Sequence, residues 1–298
     1  MSGLKTFAIL GSGEVGTPII NEFLDAELPV TILTRDTSKP ALQGFAAKGA
    51  TLKAVDYSSV DSIASALTGI DALISALGNQ HAPELPKDIV TAAKKANVKV
   101  VVPSEYGLDY VNPKIAPFPP LIQEKLEVHK YAESIGQPWA AFTNASFGQW
   151  LLHPAFGYDI PKRTAVRYLS GDQKISATNT EDIARFVRLT LTSQPVPQPG
   201  SGKVYRVEAY VTSPNEILAE LEKQVGEKFT VTAGDYEAAK AKQTEASFDG
   251  FVAWLQAAQS DGRTKLDSND NELVGFKPRY TLADDIKSGI QKFGGGQQ

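Results

Sequence analysis

The chain of 298 residues has no cysteine, which excludes disulfide cross-links, thiolate nucleophiles and thiolate metal sites. Histidine is scarce as well, with three residues and no His-Glu-x-x-His spacing, so no metal centre is expected. No uninterrupted apolar run reaches the roughly 20 residues needed to cross a bilayer, and no hydrophobic leader precedes the first strand-like run. The sequence therefore reads as cytoplasmic, without a membrane partner. A basic excess is also missing: 30 Lys and Arg stand against 34 Asp and Glu, which leaves no electrostatic footprint for nucleic acid. Internal repeats and low-complexity blocks are absent, and the closing GGGQQ reads as a frayed tail.

What is present is an ordinary globular composition, 42% hydrophobic and 21% charged, in a chain too long for one small core. Short apolar runs recur at FAIL (7–10), VTIL (30–33), ALISAL (72–77) and VKVVV (98–102), separated by helix-compatible segments. TLKAV (51–55) is a weaker strand and PWAAFT (138–143) a sixth. Continuous rather than alternating apolar runs suit strands covered on both faces. The rhythm predicts an α/β fold, a Rossmann-type doubly wound parallel sheet. After Asn144 the rhythm changes: YLSGDQKISAT (168–178) reads as a turn between two short strands, and TEDIARFVRLTL (180–191) as a helix capped by Thr180. The Pro/Gly loop QPVPQPGSG follows, structure resumes at VYRV, and helices are expected at PNEILAELEKQV, FVAWLQAAQ and LADDIKSGIQKF. The expected division is a dinucleotide-binding domain over 1–150 and a smaller, mainly substrate-binding lobe over 151–298, with some segments returning to the sheet.

Between the first strand and the first helix lies GSGEVG, residues 11–16. Here Gly11, Gly13 and Gly16 would allow a tight turn, backbone approach to a pyrophosphate and close helix packing, with Ser12, Glu14 and Val15 completing the cradle at the helix N-terminus. The second strand ends in ILTRD, where an NAD site would place an acidic residue at the tip. Thr34 and Arg35 come first instead. A guanidinium can bind a 2′-phosphate bidentately, so NADP(H) is favoured, with Lys39 assisting, while Asp36 leaves NAD open. Ligands of such sheets sit at the strands' C-terminal edge. Ala76, Leu77 and Gly78 after the fourth strand, and Pro103, Ser104 and Glu105 after the fifth, are therefore candidate cofactor contacts, with Tyr106 facing the substrate.

A Tyr-x-x-x-Lys pair on one helix face would be an acid/base device. Tyr110 and Lys114 match the spacing, but Pro113 breaks the helix between them. Tyr236 and Lys240 match it far beyond the sheet. Both read as surface coincidences. Lys125 is different. In LIQEKLEVHKYAESI, helical spacing puts it on an apolar stripe with Leu121, Val128, Ala132 and Ile135. It is either an amine snorkelling to water or a reactive group near the nicotinamide end of the site.

The run KLEVHKYAESIGQPWAAFTNASFGQW (125–150) resembles the isoflavone reductase-like group of atypical short-chain dehydrogenases, also called NmrA-like proteins. VPSEYGLD is similar to that group's P-S-E-F-G segment, GSGEVG to its nucleotide loop and LSGDQKISATNTEDIARF to its later hairpin and helix. The likeness spans most of the first 190 residues. It implies NADPH-dependent reduction of a small aromatic or conjugated carbonyl, quinone or enone. It also makes Lys125 the catalytic lysine, Arg35 the 2′-phosphate anchor, and Ser146 and Phe147 the wall beside the nicotinamide. Lys125 would polarise or protonate a substrate oxygen as hydride adds, His129 would relay a proton, and His153 and Phe147 would touch substrate. The chain departs from the pattern in three places: the nucleotide loop is one residue short of G-x-x-G-x-x-G, His129 stands where an arginine is usual, and Asn144-Ala145 replaces the usual Ser-Asn. The alternative implied by the resemblance is a dinucleotide-sensing regulator without turnover, a type that generally lacks the lysine.

Overall fold

A computed structural model describes residues 3–78 and 81–295; the last three residues of the GGGQQ tail lie outside the described residues. Strands and helices alternate through the first half: β1 (Phe7–Leu10), α1 (Gly16–Asp25), β2 (Val30–Thr34), α2 (Pro40–Ala47), β3 (Thr51–Ala54), α3 (Val60–Ala66), β4 (Ala72–Ser75), α4 (Leu85–Lys95), β5 (Val100–Val102), α5 (Pro120–Ser134) and β6 (Trp139–Thr143). The second half holds β7 (Ser146–Phe147), β8 (Tyr158–Asp159), β9 (Thr164–Arg167), β10 (Ile175–Thr178), α6 (Thr180–Ser193), β11 (Gly202–Arg206), β12 (Tyr210–Thr212), α7 (Pro214–Val225), β13 (Thr230–Ala233), α8 (Tyr236–Lys242), α9 (Phe248–Ser260) and α10 (Leu282–Phe293).

The main sheet is parallel throughout, in the order β11-β6-β5-β4-β1-β2-β3. All four β1 residues are buried because each face of the strand has its own cover. Phe7 and Ile9 pack with Ile19, Phe23, Ile183 and Phe186 of α1 and α6, while Ala8 and Leu10 pack with Ile63, Ile89 and Val90 of α3 and α4. The doubly wound Rossmann architecture is thus present, with a seventh strand: β11, from the VYRV segment, joins β6 in parallel after α6. Strand order reverses between β1 and β4, which opens a crevice at their C-terminal ends.

Beyond this edge two three-stranded sheets, β12-β10-β7 and β13-β9-β8, stand with α7 and α10 around a core of Leu152, Ile217, Leu221 and Ile286. Two expectations are corrected here. Of the two short strands expected within 168–178 only β10 forms; the strand before the turn is β9, which ends at Arg167, and the two do not pair with each other: β9 pairs with β8 and β13, and β10 with β12 and β7. The cap of α6 is Asn179, whose side chain accepts the Glu181 N–H at 3.0 Å, so Thr180 is the first helical residue. Among the described residues no helix is long and apolar enough to cross a membrane.

Candidate active site

The crevice begins at the turn after β1. Gly11 has φ +98°, and a Cβ there would lie 2.6 Å from the Ala76 carbonyl oxygen. A Cβ at Gly16 would collide with the Gly11 carbonyl. Both glycines are fixed by close backbone packing between β1, α1 and the end of β4. Gly13 is not: no heavy atom lies within 4 Å of its Cβ position, so the open side of the turn is free for a ligand. Val15 precedes α1 with no side-chain cap on the helix, and the Thr17 hydroxyl donates back to the Ser12 carbonyl at 2.9 Å. An uncapped helix N-terminus behind an open glycine suits a pyrophosphate.

Beyond β2 a groove of about 1180 Å³ is lined by Arg35, Tyr57, Ser58, Gly78, Ser247 and Phe248, among others. Arg35 is exposed, its guanidinium carbon 5.7 Å from the Tyr57 ring centroid. Thr34 is buried beneath it and bonds the Asp36 backbone, while the Asp36 carboxylate is taken up by the Ser38 N–H and hydroxyl at 2.8 and 2.6 Å. Those two bonds hold Asp36 below the usual carboxylate range and engage it in its own turn. The cation at the strand tip is thus the group turned to the groove, as a 2′-phosphate requires. Lys39 is exposed at the start of α2 and does not line this groove.

Next to the phosphate turn lies a cleft of about 530 Å³, bounded by Gly13, Glu14 and Val15, by Ala76, Leu77 and Gly78, by Ser104 and Tyr106, and by Lys125, Ser146, Phe147 and His153. Lys125 is half-buried, and its Nζ donates to the Ser104 carbonyl at 3.0 Å, 5.7 Å from the Tyr110 ring centroid. Burial lowers its pKa below the ordinary lysine value, and the nearby Glu105 carboxylate opposes the shift. His153 accepts the Ala155 N–H through Nδ1 at 3.1 Å, so the neutral ring carries its hydrogen on Nε2. Burial and the neighbouring Lys292 ammonium both lower its pKa, which favours that neutral form. The Tyr106 hydroxyl is buried in the wall, closed to solvent, with no partner among the described residues.

The structure gathers most of the expected residues here, but not all. Glu105 and His129 lie behind the lysine, off the cleft wall, with His129 Nε2 2.7 Å from Glu105 Oε1. Pro103 lines a second cavity of about 520 Å³ on the far side of Lys125. Of the Tyr-x-x-x-Lys matches, Tyr236 and Lys240 share α8 away from the cleft, with the Tyr236 hydroxyl on Asp261 at 3.0 Å. Tyr110 is no surface residue: it is buried in the cleft wall beside Lys125, while Lys114 pairs with Asp267. Sequence reasoning also missed Trp150, Phe156, Phe248 and Phe251, which give the cleft its aromatic lining. The helical pattern over 251–259 was legible, but its packing across the cleft depends on contacts with Tyr110 and Ile122, more than a hundred residues earlier.

Fold and cleft define a dinucleotide-binding α/β protein of the Rossmann type with a lysine-bearing pocket at its topological switch point. The chain belongs to the NmrA-like family, whose model matches residues 4–277. It is 26% identical to the oxidoreductase aprR of Aspergillus flavus, over 97% of this chain and 99% of that protein. The isoflavone reductase homolog IRL of Zea mays is 30% identical over 76% of this chain and 75% of that one. Among solved structures, the Escherichia coli NADPH-dependent quinone oxidoreductase QOR2 in complex with NADPH superposes with a TM-score of 0.74 at 24% identity, covering 95% of this chain and 99% of that one.

Proposed function

We propose that this NADP(H)-dependent oxidoreductase reduces a small, flat, conjugated or aromatic carbonyl, quinone or enone. The observation that carries the reading is Lys125: an amine with weakened proton affinity, anchored in the wall of an aromatic cleft that runs directly into the glycine turn. NADPH, when bound, supplies hydride. Gly13 and the start of α1 would hold its pyrophosphate, and Arg35 its 2′-phosphate. The protein's own part is placement and proton transfer. Tyr110, Phe147, Trp150 and Phe251 pack a planar ring, which a charged aliphatic substrate would not match. Lys125 Nζ donates to the substrate oxygen as charge develops there, a role general acids fill with rate effects of about 10² to 10⁴. His153 Nε2–H offers a further donor to a second oxygen. The likeness to an isoflavone reductase homolog supports a reductase of this kind.

The test is NADPH oxidation against a panel of quinones, enones and aryl ketones, with Lys125→Ala in parallel. Turnover on at least one member is expected, with kcat lowered about 10² to 10⁴-fold in the variant and NADPH binding retained. Tight NADPH binding with no turnover across the panel would instead favour a cofactor-sensing regulator.

A further inference from the structure

Burial weakens the hold of Lys125 on its proton, yet a general acid must be charged when substrate arrives. Something has to restore that affinity. The titratable and charged groups around the amine are Glu105 and Tyr110 on the segment after β5, His81, Glu84 and Lys87 before and on α4, Glu124, Glu127 and His129 on its own helix, and Glu14 and His153 across the cleft. Glu84, Glu124 and Glu127 are exposed, and the Glu14 side chain is 44% exposed and paired with Lys292. Glu105 alone among these carboxylates is buried, its side chain 5% exposed. Fields from exposed charges are screened by water and salt, and a buried one is not.

Glu105 is also held in place. It follows Ser104, whose carbonyl anchors Lys125 Nζ at 3.0 Å. On its other side the His129 ring lies 2.7 Å away, stacked on Trp139 with centroids 3.7 Å apart and planes 11° from parallel. That stack fixes the imidazole, and the ring confines the carboxylate by close contact without hydrogen-bond alignment, since Glu105 Oε1 and His129 Nε2 both lack a hydrogen-bond partner among the described residues. We propose that Glu105, buried against the Trp139-stacked His129, is the positioning residue that keeps the Lys125 amine protonated in its half-dry wall. His129 accordingly serves from behind the lysine and does not reach the substrate. The proposal rests on the reading of Lys125 as the proton donor, but its test needs no substrate.

The full-length protein is treated with acetic anhydride over a range of pH, and acetylation of Lys125 is followed by peptide mass spectrometry. Only the neutral amine reacts, so the rate reports its protonation. In Glu105→Gln the labelling midpoint is expected to fall by about one pH unit, giving about tenfold faster labelling at a fixed pH below the midpoint. Glu105→Asp, which keeps the charge, is expected to stay near the wild-type curve, as is Glu124→Gln. In the wild-type protein the midpoint is expected to be unmoved by 1 M NaCl, since the charge responsible is buried. Superimposable wild-type and Glu105→Gln curves, equal shifts in Glu105→Gln and Glu105→Asp, or a salt-sensitive wild-type midpoint would each overturn the proposal. Failure of the reductase panel alone would leave these results standing.

Discussion

A lysine ammonium packed over a tyrosine ring and beneath a backbone carbonyl is placed for chemistry at some cost to stability. The folded protein binds the Lys125 proton less tightly than the unfolded chain does, so at neutral pH charging this amine disfavours the native state. The penalty is absent above the unfolded value near 10.5 and develops as pH falls toward the lowered folded value. Lys125→Met keeps the length of the side chain and removes the charge. It is expected to abolish turnover while raising Tm by about 2 °C at pH 7, and the gain should shrink as the melts are repeated toward pH 10. An unchanged or lower Tm at pH 7 would show that the amine is not under strain. Lys125 was legible in the sequence because an ammonium interrupts an apolar stripe. The stripe itself was read slightly rotated: the residues α5 buries are Ile122, Val128, His129 and Ala132, because the helix also packs against Trp139 and the segment carrying Glu105. Tyr110 was misread because helical spacing tested it only against Lys114, whereas the lysine it meets lies past a proline-rich loop and in another element.

Among the elements, the turn from β1 into α1 was the most legible, since strand, glycine spacing and helix follow one another within twenty residues and the contacts are local. Its three glycines nevertheless have different duties. Gly16 has no room for a methyl against Gly11, so Gly16→Ala should displace the first turn of α1 and destabilise the fold. Gly13 has open space on its outer side, so Gly13→Ala should melt within about 1 °C of wild type. The added methyl would stand where a pyrophosphate approaches, and NADPH titration followed by fluorescence should show affinity reduced about tenfold or more. A Gly13→Ala protein that binds NADPH normally would separate this turn from the cofactor site. The later elements were less legible for a reason of distance. Of the two short strands read within 168–178 only the second formed, as β10; the strand before the turn is β9, which ends at Arg167, and each finds its partners elsewhere, β10 with β12 and β9 with β13, a choice that no local pattern encodes. Some later segments were expected to return to the sheet, but nothing local marked VYRV, now β11, as the one that does, because its partner β6 lies some sixty residues back across the whole of α6.

At the scale of the molecule, α10 ties the outer sheets to the nucleotide turn. Lys292 near its end pairs with Glu14 of GSGEVG at 2.7 Å, and Trp150 Nε1 donates to the same oxygen at 3.0 Å. At the other end Asp285 is buried where three elements meet. It accepts from Asn179, the cap of α6, at 2.5 Å and from the Tyr210 hydroxyl of β12 at 2.6 Å, and Gly148 has no room for a Cβ against its carboxylate. Burial raises the Asp285 pKa from an ordinary 3.8 to about 6, outweighing the two hydrogen bonds. A raised carboxyl value means the folded state holds the proton more tightly, so this group contributes stability that is fully present below 3.8 and is lost as pH rises through about 6. Between pH 5 and pH 7.5 the wild-type protein should lose about 1 kcal/mol from this source, about 3 °C in Tm. Asp285→Asn imitates the protonated acid at every pH. It is expected to melt above wild type already at pH 5, where the unfolded carboxyl is ionised, and by about 1 kcal/mol more at pH 7.5, a comparison in which His153, whose lowered pKa acts in the opposite direction, is common to both proteins and cancels. If the two proteins keep the same Tm difference across that range, Asp285 is ionised throughout, and the joint between α10, α6 and β12 is held by charge and not by a retained proton.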